Sequence, residues 1–448
     1  MKKLAVNVCR LLLALTFIFS GFVKAIDPLG TQYKLTDYLG AWGMAGFVPD
    51  WATLGASVCL AALEFGIGIF LLFAIRRRAT SKLALALMVV MTLVTLWLAV
   101  ANPISDCGCF GDAVVLTNWQ TFWKNVVLLA CAVVIARWPL LMPRLISRTN
   151  QWIVVNFTFF FILASSLWCL YDLPVFDFRP YHIGANIQEG MEIPEGAPQP
   201  KFETTFILEK DGEKREFTLE DYPDSTWTFV DSRSVQTEAG YVPPIHDFNI
   251  ISMESGDDIT DDVLSREGYT FLLISPHLEN ASDNNFGAID QLHEYCEEHG
   301  YPFYCLTASN EDAIVRWRNM TGAEYPFCQT DETTLKTIIR SNPGLLLLKD
   351  GTIIRKWSHN RLPQIDQTNS TLTLDQMPIG QQPRNSVPKR ILTIVLWFVL
   401  PLFVLTLADR LWAWTKWVQR KPAKKTKEET KDHLTQNKQE NEKENCSR

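Results

Sequence analysis

The sequence DCGCFGD, residues 106–112, lies between two apolar stretches, Leu83–Ala101 and Phe122–Trp138. Each stretch approaches the ~20 apolar residues that a helix needs to cross a bilayer, so we expect this loop at the end of a membrane helix. Its two thiols, Cys107 and Cys109, are separated by one glycine. They exist as a dithiol or as a disulfide, and these states differ by two electrons. The stretch therefore predicts redox chemistry at a membrane surface.

The composition of the chain divides it into two kinds of sequence. The first ~170 of its 448 residues are mostly apolar, and residues ~175–385 alternate polar and apolar side chains as soluble domains do. A short apolar run and a highly charged tail, residues 414–448, follow. The net charge of -7 is mild. Because the chain has no basic patch interleaved with aromatic residues, we do not expect it to bind nucleic acid.

Six segments are apolar enough to cross a bilayer, and Trp residues stand at many of their ends, as at a lipid–water interface. We expect the first four segments to form a four-helix domain over residues 1–145. A fifth helix over 150–172 and a sixth over 391–413 complete the membrane part. The predicted spans are Leu4–Ile26, Trp51–Ile75, Leu83–Ala101, Phe122–Trp138, Trp152–Leu170 and Ile391–Trp412.

The distribution of Lys and Arg predicts the orientation of these helices. The N-terminus, the loops 76–82 and 137–148 and the segment after 413 are basic, whereas residues 102–120 contain no Lys or Arg. Cytoplasmic loops carry the excess of positive charge. We therefore expect a multi-pass protein of the bacterial inner membrane with both termini cytoplasmic, a disordered tail, and the Cys107–Cys109 loop and soluble region in the periplasm. As an alternative, Met1–Ala25 resembles a cleaved signal peptide.

Several polar residues in the apolar region need a physical reason. Intramembrane ionisable groups usually pair with one another or line a functional cavity. Glu64 pairing with Lys24 or Lys124 is one interpretation, and lysines that snorkel to the surface are the other. The candidate supporting residues around the cysteine pair are Lys24, Asp27, Glu64, Asp112, Lys124 and Asn125.

A series of motifs in residues 1–145 resembles the DoxX-like membrane proteins, and most closely their MauE branch. The motifs are Ser20-Gly21-Phe22-Val23-Lys24, Asp27-Pro28, Asp37-Tyr38-Leu39, Glu64-Phe65-Gly66-Ile67-Gly68, Cys107-Gly108-Cys109-Phe110-Gly111 and Lys124-Asn125. This resemblance implies a four-helix bundle associated with thiol–disulfide chemistry in the periplasm. It also implies a component of a thiol–disulfide oxidoreductase system that exchanges electrons with a quinone, as some DoxX relatives do. It does not imply that this chain handles methylamine.

The Cys-x-Cys spacing has consequences of its own. A disulfide needs Cα atoms roughly 4.4–6.8 Å apart, which this short segment reaches only if its backbone bends at Gly108. The small ring is expected to be strained, and strained disulfides are more oxidising. Flanking carboxylates at Asp106 and Asp112 should raise the thiol pKa values. Structural bridges to Cys59 or Cys169 remain open, whereas a tetrahedral zinc site lacks ligands, so we expect no metal.

The soluble region begins with a linker and a small β-rich segment, residues 173–245. Residues 202–208 and 214–218 predict a hairpin around Asp211-Gly212, and residues 227–230 a further strand. Residues 246–362 then alternate strands and helices, starting with a strand over 248–253 and closing with a hairpin at Asp350-Gly351, which indicates an α/β sandwich. Residues 363–390 are predicted to be a second linker.

The order of elements in residues 246–362 resembles the thioredoxin fold in its peroxiredoxin-like form. Asp247-Phe248, Asn342-Pro343-Gly344 and Lys349-Asp350-Gly351 carry the resemblance, which implies a cis-proline at Pro343 beside a substrate groove. Active relatives have cysteines after the strand that ends at Ser275, whereas this chain continues Pro276-His277-Leu278. The domain is therefore expected to bind a partner at Pro343 and His277 without exchanging thiols.

Three further cysteines, Cys296, Cys305 and Cys328, fall on a helix face and in two predicted strands. We expect them to be small buried apolar residues, with a structural bridge between Cys305 and Cys328 left open. Three functions are compatible with the sequence. The preferred one is an electron relay through Cys107 and Cys109, whose soluble domain docks a client or periplasmic thiol protein. The others are an envelope scaffold without catalysis and, as the weakest, a small-solute transporter.

Overall fold

A computed structural model describes residues 1–44, 46–104, 106–198, 201–210, 213–217, 228–238, 240–365, 370–383 and 388–416 of the chain. The chain forms two compact units. The first contains Met1–Phe176 together with the C-terminal part of the chain from Arg384, and the second contains Asp177–Pro383. Of the predicted tail, residues 417–448 with Cys446 lie outside the described residues.

The first unit consists of helices, six of which are long and apolar enough to cross a membrane. This confirms the predicted multi-pass architecture, and each predicted span falls on one of these six helices. They are α1 (Lys2–Ile26), α3 (Asp50–Phe73), α4 (Arg77–Ala101), α5 (Asn118–Arg137), α6 (Gln151–Tyr171) and the C-terminal helix Pro388–Lys416, while a shorter helix, α2 (Pro28–Ala41), connects α1 to α3.

Helix α2 was not anticipated from the sequence, because it is too short to cross a bilayer and lacks a strong apolar period. Its start is nevertheless encoded locally. The Asp27 carboxylate accepts a hydrogen bond from the Gly30 backbone N–H at 2.9 Å, and Pro28 occupies the first helical position. Both are preferred at helix N-termini, since they satisfy or remove an unpaired amide. Asp27 is thus a helix-capping residue.

Helices α1 and α3 pack with their backbones in close contact. A Cβ added to Gly21 would lie 2.3 Å from the Phe65 backbone nitrogen, and one added to Gly68 would lie 2.7 Å from the Ile18 nitrogen. Small residues at such positions let membrane helices approach closely, where packing rather than hydrophobicity drives their association. Gly21 and Gly68 therefore lie on the faces through which α1 and α3 meet.

The C-terminal helix is a specific part of the first unit. In the apolar layer, the Phe398 ring lies 4.4 Å from the Phe161 ring and 5.2 Å from the Phe65 ring, measured between centroids. Near the helix end, the buried Asp409 carboxylate accepts hydrogen bonds from the Ser147 N–H at 2.8 Å and the Ser147 hydroxyl at 2.6 Å. These contacts fix the helix against α3, α6 and the loop before α6.

The second unit contains two sheets. A three-stranded sheet has the order β2-β1-β3 and is antiparallel, with β1 (Lys201–Lys210), β2 (Glu213–Phe217) and β3 (Thr228–Glu238). It contains the predicted hairpin, whose turn at residues 211–212 lies outside the described residues. The six-stranded sheet contains β4 (Ile251–Ser252), β5 (Tyr269–Ser275), β6 (Phe303–Thr307), β7 (Phe327–Gln329), β8 (Gly344–Lys349) and β9 (Thr352–Ser358), in the order β4-β7-β6-β5-β8-β9.

The six-stranded sheet has the thioredoxin-like arrangement that the sequence predicts. Strands β5, β6 and β7 are parallel, β8 runs antiparallel to β5, and the Asn342–Pro343 peptide bond is cis. Helices connect the three parallel strands, as β-α-β units require. The elements are β4 (Ile251–Ser252), α8 (Thr260–Leu264), β5 (Tyr269–Ser275), α9 (Phe286–His299), β6 (Phe303–Thr307), α10 (Glu311–Thr321), β7 (Phe327–Gln329), α11 (Glu332–Ile338), β8 (Gly344–Lys349) and β9 (Thr352–Ser358).

Two predicted linkers belong in part to this folded unit, so the interpretation of residues 173–245 and 363–390 as linkers was too broad. Residues 177–198 include a short helix, α7 (Ile187–Met191), and extend the sheet edge at β9, where Gly184 and Ala185 exchange backbone hydrogen bonds with Ile353 at 2.7 and 2.9 Å. Leu374 and Met377 belong to the core. Irregular segments that pack through backbone bonds have no periodicity to reveal them. The strand predicted over 248–253 is reduced to β4.

A buried ion cluster secures the first of these segments. The Asp177 carboxylate lies 2.7 Å from Arg179 Nε and 3.0 Å from Lys356 Nζ. Burial alone would raise the pKa of Asp177, but the Lys356 ammonium and the Arg179 guanidinium outweigh it and hold that pKa well below its usual range. Burial lowers the pKa of Lys356 to about 8 despite its carboxylate partner.

Candidate functional site

The loop after α4 contains a disulfide between Cys107 and Cys109, with their Cα atoms 5.4 Å apart. Gly108 has φ +63°, in the left-handed region that glycine adopts without a Cβ clash. A Cβ at this position would also lie 3.1 Å from the Lys34 side chain. Glycine is therefore required both by the bend and by its neighbour. Cys59 and Cys169 are free thiols, so neither forms the long-range bridge considered above.

Helix α1 holds the Cys109 end of the loop. The Lys24 ammonium donates a hydrogen bond to the Cys109 carbonyl at 2.7 Å and lies 2.9 Å from Glu64 Oε2. The Ser20 hydroxyl lies 2.7 Å from the same carbonyl and 2.6 Å from Glu64 Oε2. Lys24 and Glu64 are only 5% and 3% exposed. Lys24 is thus the partner of Glu64, and it does not snorkel to the surface.

Helix α2 holds the Cys107 end of the loop. The Tyr38 hydroxyl donates a hydrogen bond to the Cys107 carbonyl at 2.7 Å. One turn earlier on the same helix, the Lys34 ammonium lies 2.5 Å from Asp106 Oδ1, while Asp106 Oδ2 accepts the Gly108 N–H at 2.9 Å. Sequence reasoning missed Ser20, Lys34 and Tyr38 as site residues. The spacing of 34 and 38, which places both on one helix face, was the available signal once α2 was recognised.

The remaining predicted residues divide into two groups. The Lys124 ammonium lies 4.0 Å from the centroid of the Phe110 ring, a cation–π contact, instead of pairing with Glu64. The Asn125 amide donates to the Thr95 hydroxyl at 3.2 Å and thereby joins α5 to α4. Both residues line the same cavity as Lys24, Glu64 and the cysteine pair. Asp27 and Asp112, in contrast, are not among its lining residues.

The cavity within the first unit has a volume of about 390 Å³. The disulfide loop, Lys24, Glu64 and Lys124 form a polar part of its lining, and most of the remaining wall is apolar. Pockets of ~300–1,000 Å³ with few polar groups are typical of small-molecule sites. The apolar wall includes Phe17, Leu39, Leu60, Met91, Val94 and Leu128. Among the described residues, no cluster of three or more His, Cys, Asp or Glu is placed to hold a metal ion.

In the second unit, the loop after β5 lies beside the cis-proline loop. The Asn342 side chain joins them, because its amide donates to the His277 carbonyl at 2.8 Å and its oxygen accepts the Ser275 hydroxyl at 2.7 Å. His277 and Pro343, both predicted from the sequence as partner-binding residues, are therefore brought together. The His277 ring turns toward α11, with Nε2 2.9 Å from Glu332 Oε1.

The thiols of the second unit that the structure describes are buried and free. Cys305 pairs with Phe327 across β6 and β7, whereas Cys328 pairs with Leu306. Neighbouring residues of a strand face opposite sides of the sheet, so Cys305 and Cys328 point to different faces and the bridge considered above does not form. Burial raises the pKa of the Cys328 thiol to about 11. Cys296 is equally buried.

Comparison with known proteins agrees with the two-part organisation. The family described as Methylamine utilisation protein MauE matches residues 2–137, and a family described as a domain of unknown function (DUF8463) matches residues 202–239, which contain most of the three-stranded sheet. No curated protein matches the chain.

Among solved structures, a candidate protein disulfide isomerase from Bacteroides thetaiotaomicron is similar at 14% identity, over 26% of this chain and 76% of that one, with a TM-score of 0.21. The strand order of the six-stranded sheet and the cis peptide bond at Pro343 identify the second unit as thioredoxin-like. The N-terminal membrane region of the chain, residues 2–137, is a MauE family domain.

Proposed function

We propose that the MauE family domain performs thiol–disulfide exchange through Cys107 and Cys109 and passes electrons between a periplasmic thiol protein and a lipid-soluble carrier. One observation supports this proposal above the others: the disulfide lines an apolar cavity whose polar part contains a buried ion pair and a further ammonium group. A purely structural staple would not require this surrounding chemistry. Intramembrane ionisable residues are generally functional.

The exchange reaction balances as follows. Two thiols of a client lose two electrons and form a disulfide, while the Cys107–Cys109 disulfide accepts those electrons and becomes a dithiol. A quinone bound in the cavity would return the pair to the disulfide state by accepting two electrons and two protons. The apolar wall fits the lipophilic ring and tail of such a molecule, and the Lys124 ammonium group can donate a hydrogen bond to one of its carbonyl oxygens.

The second unit is proposed to bind the client without exchanging thiols. The described cysteines of this unit are buried, and the loop after β5 contains His277 where active thioredoxin-like proteins carry cysteine. The proximity of the His277 loop to the cis-Pro343 loop, which the Asn342 side chain joins, supports a docking role. Client specificity would then come from this unit and electron transfer from the membrane domain.

The location of this chemistry is the periplasmic side of the bacterial inner membrane. The support is the excess of Lys and Arg at the N-terminus, in the loops after α3 and α5 and after the C-terminal helix, against none in residues 102–120. This orientation places both termini in the cytoplasm. Topology reporters inserted at residue 115 and after residue 416 test it, and a cytoplasmic signal at 115 would remove the basis for the proposed exchange.

The redox role itself is tested by thiol trapping in intact cells. We expect the Cys107–Cys109 pair to alternate between states: alkylation with a mass-tagged maleimide after acid quenching should find a dithiol fraction that grows when quinone is depleted. Cys107→Ser and Cys109→Ser should each abolish client oxidation, whereas Cys59→Ser, which changes an exposed free thiol elsewhere in the domain, should not. A pair that stays fully oxidised under every condition would contradict the proposal.

A scaffold role is the second candidate, and the absence of an exposed thiol among the described residues of the second unit favours it. A scaffold would hold its partner regardless of the cysteine pair. Crosslinking of the wild-type chain and of Cys107→Ser separates the two: equal recovery of one partner with unchanged cell phenotype supports the scaffold.

A further inference from the structure

We infer that the two cysteines have different roles: an incoming thiolate attacks Cys107, and Cys109 is the sulfur that leaves as a thiolate. This inference rests on the proposed exchange reaction and adds to it the direction in which the disulfide opens. The cause lies in the charges that face each end of the loop, since a disulfide is attacked so that the better-stabilised thiolate leaves.

The Cys109 end faces a net positive environment. From α1, the Lys24 ammonium bonds the Cys109 carbonyl at 2.7 Å, and from α5 the Lys124 ammonium lies over the ring of the next residue, Phe110, at 4.0 Å. From α3, Glu64 contributes one negative charge against these two positive ones. Cations beside a cysteine stabilise its thiolate. The buried position of Lys24 and Glu64 keeps water from screening the effect.

The Cys107 end faces a balanced environment. Asp106 precedes it directly and accepts the Gly108 N–H, and the Lys34 ammonium of α2 pairs with that carboxylate at 2.5 Å. The Tyr38 hydroxyl of α2 is engaged by the Cys107 carbonyl. Helix α4 contributes no titratable residue to the cavity lining, and Asp112 lies further along the loop. A thiolate on Cys107 would therefore have a carboxylate as its nearest charged neighbour in sequence.

Attack at Cys107 leaves the electron pair of the disulfide bond on Cys109. The sulfur of the incoming thiolate forms a bond to Cys107 Sγ, the Cys107–Cys109 bond breaks, and its electron pair remains on Cys109 Sγ. The client is then joined to Cys107 through a mixed disulfide. A second client thiolate attacks the client sulfur of that bond and releases Cys107. Lys24 and Lys124 act here as positioning and charge-stabilising residues, since neither exchanges electrons.

The experiment uses the full-length oxidised protein in detergent or vesicles, with reduced glutathione as the probe thiol. After a short reaction, acid quenching and alkylation, peptide mass spectrometry locates glutathione within residues 102–120. We expect several-fold more adduct on Cys107 than on Cys109, because the better-stabilised thiolate leaves faster.

Each outcome decides a different point. An equal distribution, or an excess on Cys109, overturns the role assignment while leaving the exchange reaction intact. No adduct on either cysteine, under conditions that modify a control peptide disulfide, overturns the proposed exchange reaction and with it the assignment. The two failures are therefore distinguishable.

A pH profile provides a readout that a structural role would not change. Each single variant leaves one thiol to be alkylated: Cys109 in Cys107→Ser and Cys107 in Cys109→Ser. The alkylation rate of Cys109 should begin to rise at a lower pH than that of Cys107. When Lys124→Met is combined with Cys107→Ser, a cation near Cys109 is lost. The pH profile of Cys109 alkylation should then move to higher pH, with roughly tenfold slower alkylation at neutral pH. Lys82→Met, which removes an exposed lysine near the start of α4, is the matched control and should leave both profiles unchanged. Identical profiles for the two cysteines would refute the assignment.

Discussion

The buried Lys24–Glu64 pair provides the sharpest test of the site. Glu64→Gln keeps the shape of the side chain but removes its charge, leaving the Lys24 ammonium, which is 5% exposed, without its carboxylate at 2.9 Å. Lys24→Met removes the other partner and also the donor to the Cys109 carbonyl. Glu64→Gln therefore leaves a buried ammonium without a counter-charge, and Lys24→Met leaves a buried carboxylate without one, both in a medium of low dielectric constant.

The magnitude follows from the burial of both groups. Removing one partner of a buried ion pair costs about 3–5 kcal/mol, whereas replacing both by apolar residues is often neutral. For a unit of this size, such a loss lowers the unfolding temperature by roughly 6–20 °C, at ~2–4 °C for each kcal/mol. The double variant Lys24→Met/Glu64→Leu should therefore lose much less than the sum of the two single changes.

Thermal unfolding of the full chain in detergent, followed by helical circular dichroism, measures these differences, with Lys82→Met as the control. The double variant should recover stability but not disulfide exchange, because no ammonium then holds the Cys109 carbonyl. If the losses of the two single variants add in the double variant, or if Glu64→Gln behaves like the control, the pair does not have the energetic role described here.

Three further changes have outcomes that the structure fixes. Gly21→Ala should destabilise the chain strongly in the same assay, because its Cβ would lie 2.3 Å from the Phe65 backbone nitrogen, whereas Gly55→Ala, with nothing within 4 Å, should not; equal effects would contradict the described packing. The second unit should lose stability as the pH falls below about 4. A carboxyl whose native pKa is depressed, as that of Asp177 is, stabilises the fold above its unfolded pKa and loses that contribution as it is protonated. Hydrogen exchange in the full chain should therefore depend less on pH in Asp177→Asn, and an unchanged profile would exclude Asp177 as the cause. Asp409→Ala should increase hydrogen exchange in residues 144–150, because it removes the carboxylate that accepts hydrogen bonds from their polar groups. The expected loss of stability is about 1–3 kcal/mol. Unchanged exchange in these residues would show that the C-terminal helix is held by its apolar contacts.

The parts of this molecule that the sequence predicted correctly are those set by local pattern. The six apolar helices follow from length and hydropathy alone, because a bilayer allows few alternatives. The α/β architecture of the second unit follows from its alternating strands and helices and from the turn signal at Asp350-Gly351, whereas the cis peptide bond at Pro343 was expected from the resemblance to the thioredoxin fold. From the sequence, Glu64 could pair with either Lys24 or Lys124. Choosing Lys24 requires knowing which faces of α1 and α3 meet.

The parts that were missed depend on three-dimensional packing. Lys34 and Tyr38 enter the site through α2, a helix whose N-terminal signal at Asp27-Pro28 is clear but whose apolar period is weak. The cation–π contact of Lys124 depends on where the loop places Phe110. Residues 177–198 join the second unit through backbone hydrogen bonds at Gly184 and Ala185, which no side-chain pattern encodes.

The close backbone approach at Gly21 and Gly68 has a consequence for how the cysteine loop can move. With no side-chain layer between α1 and α3, neither helix can slide or turn against the other without a collision of main-chain atoms. These two helices therefore form a rigid support for the disulfide loop. We therefore expect any rearrangement that accompanies reduction in the cysteine loop itself and in α2, whose Lys34 and Tyr38 contact that loop, while α1 and α3 keep their relative position.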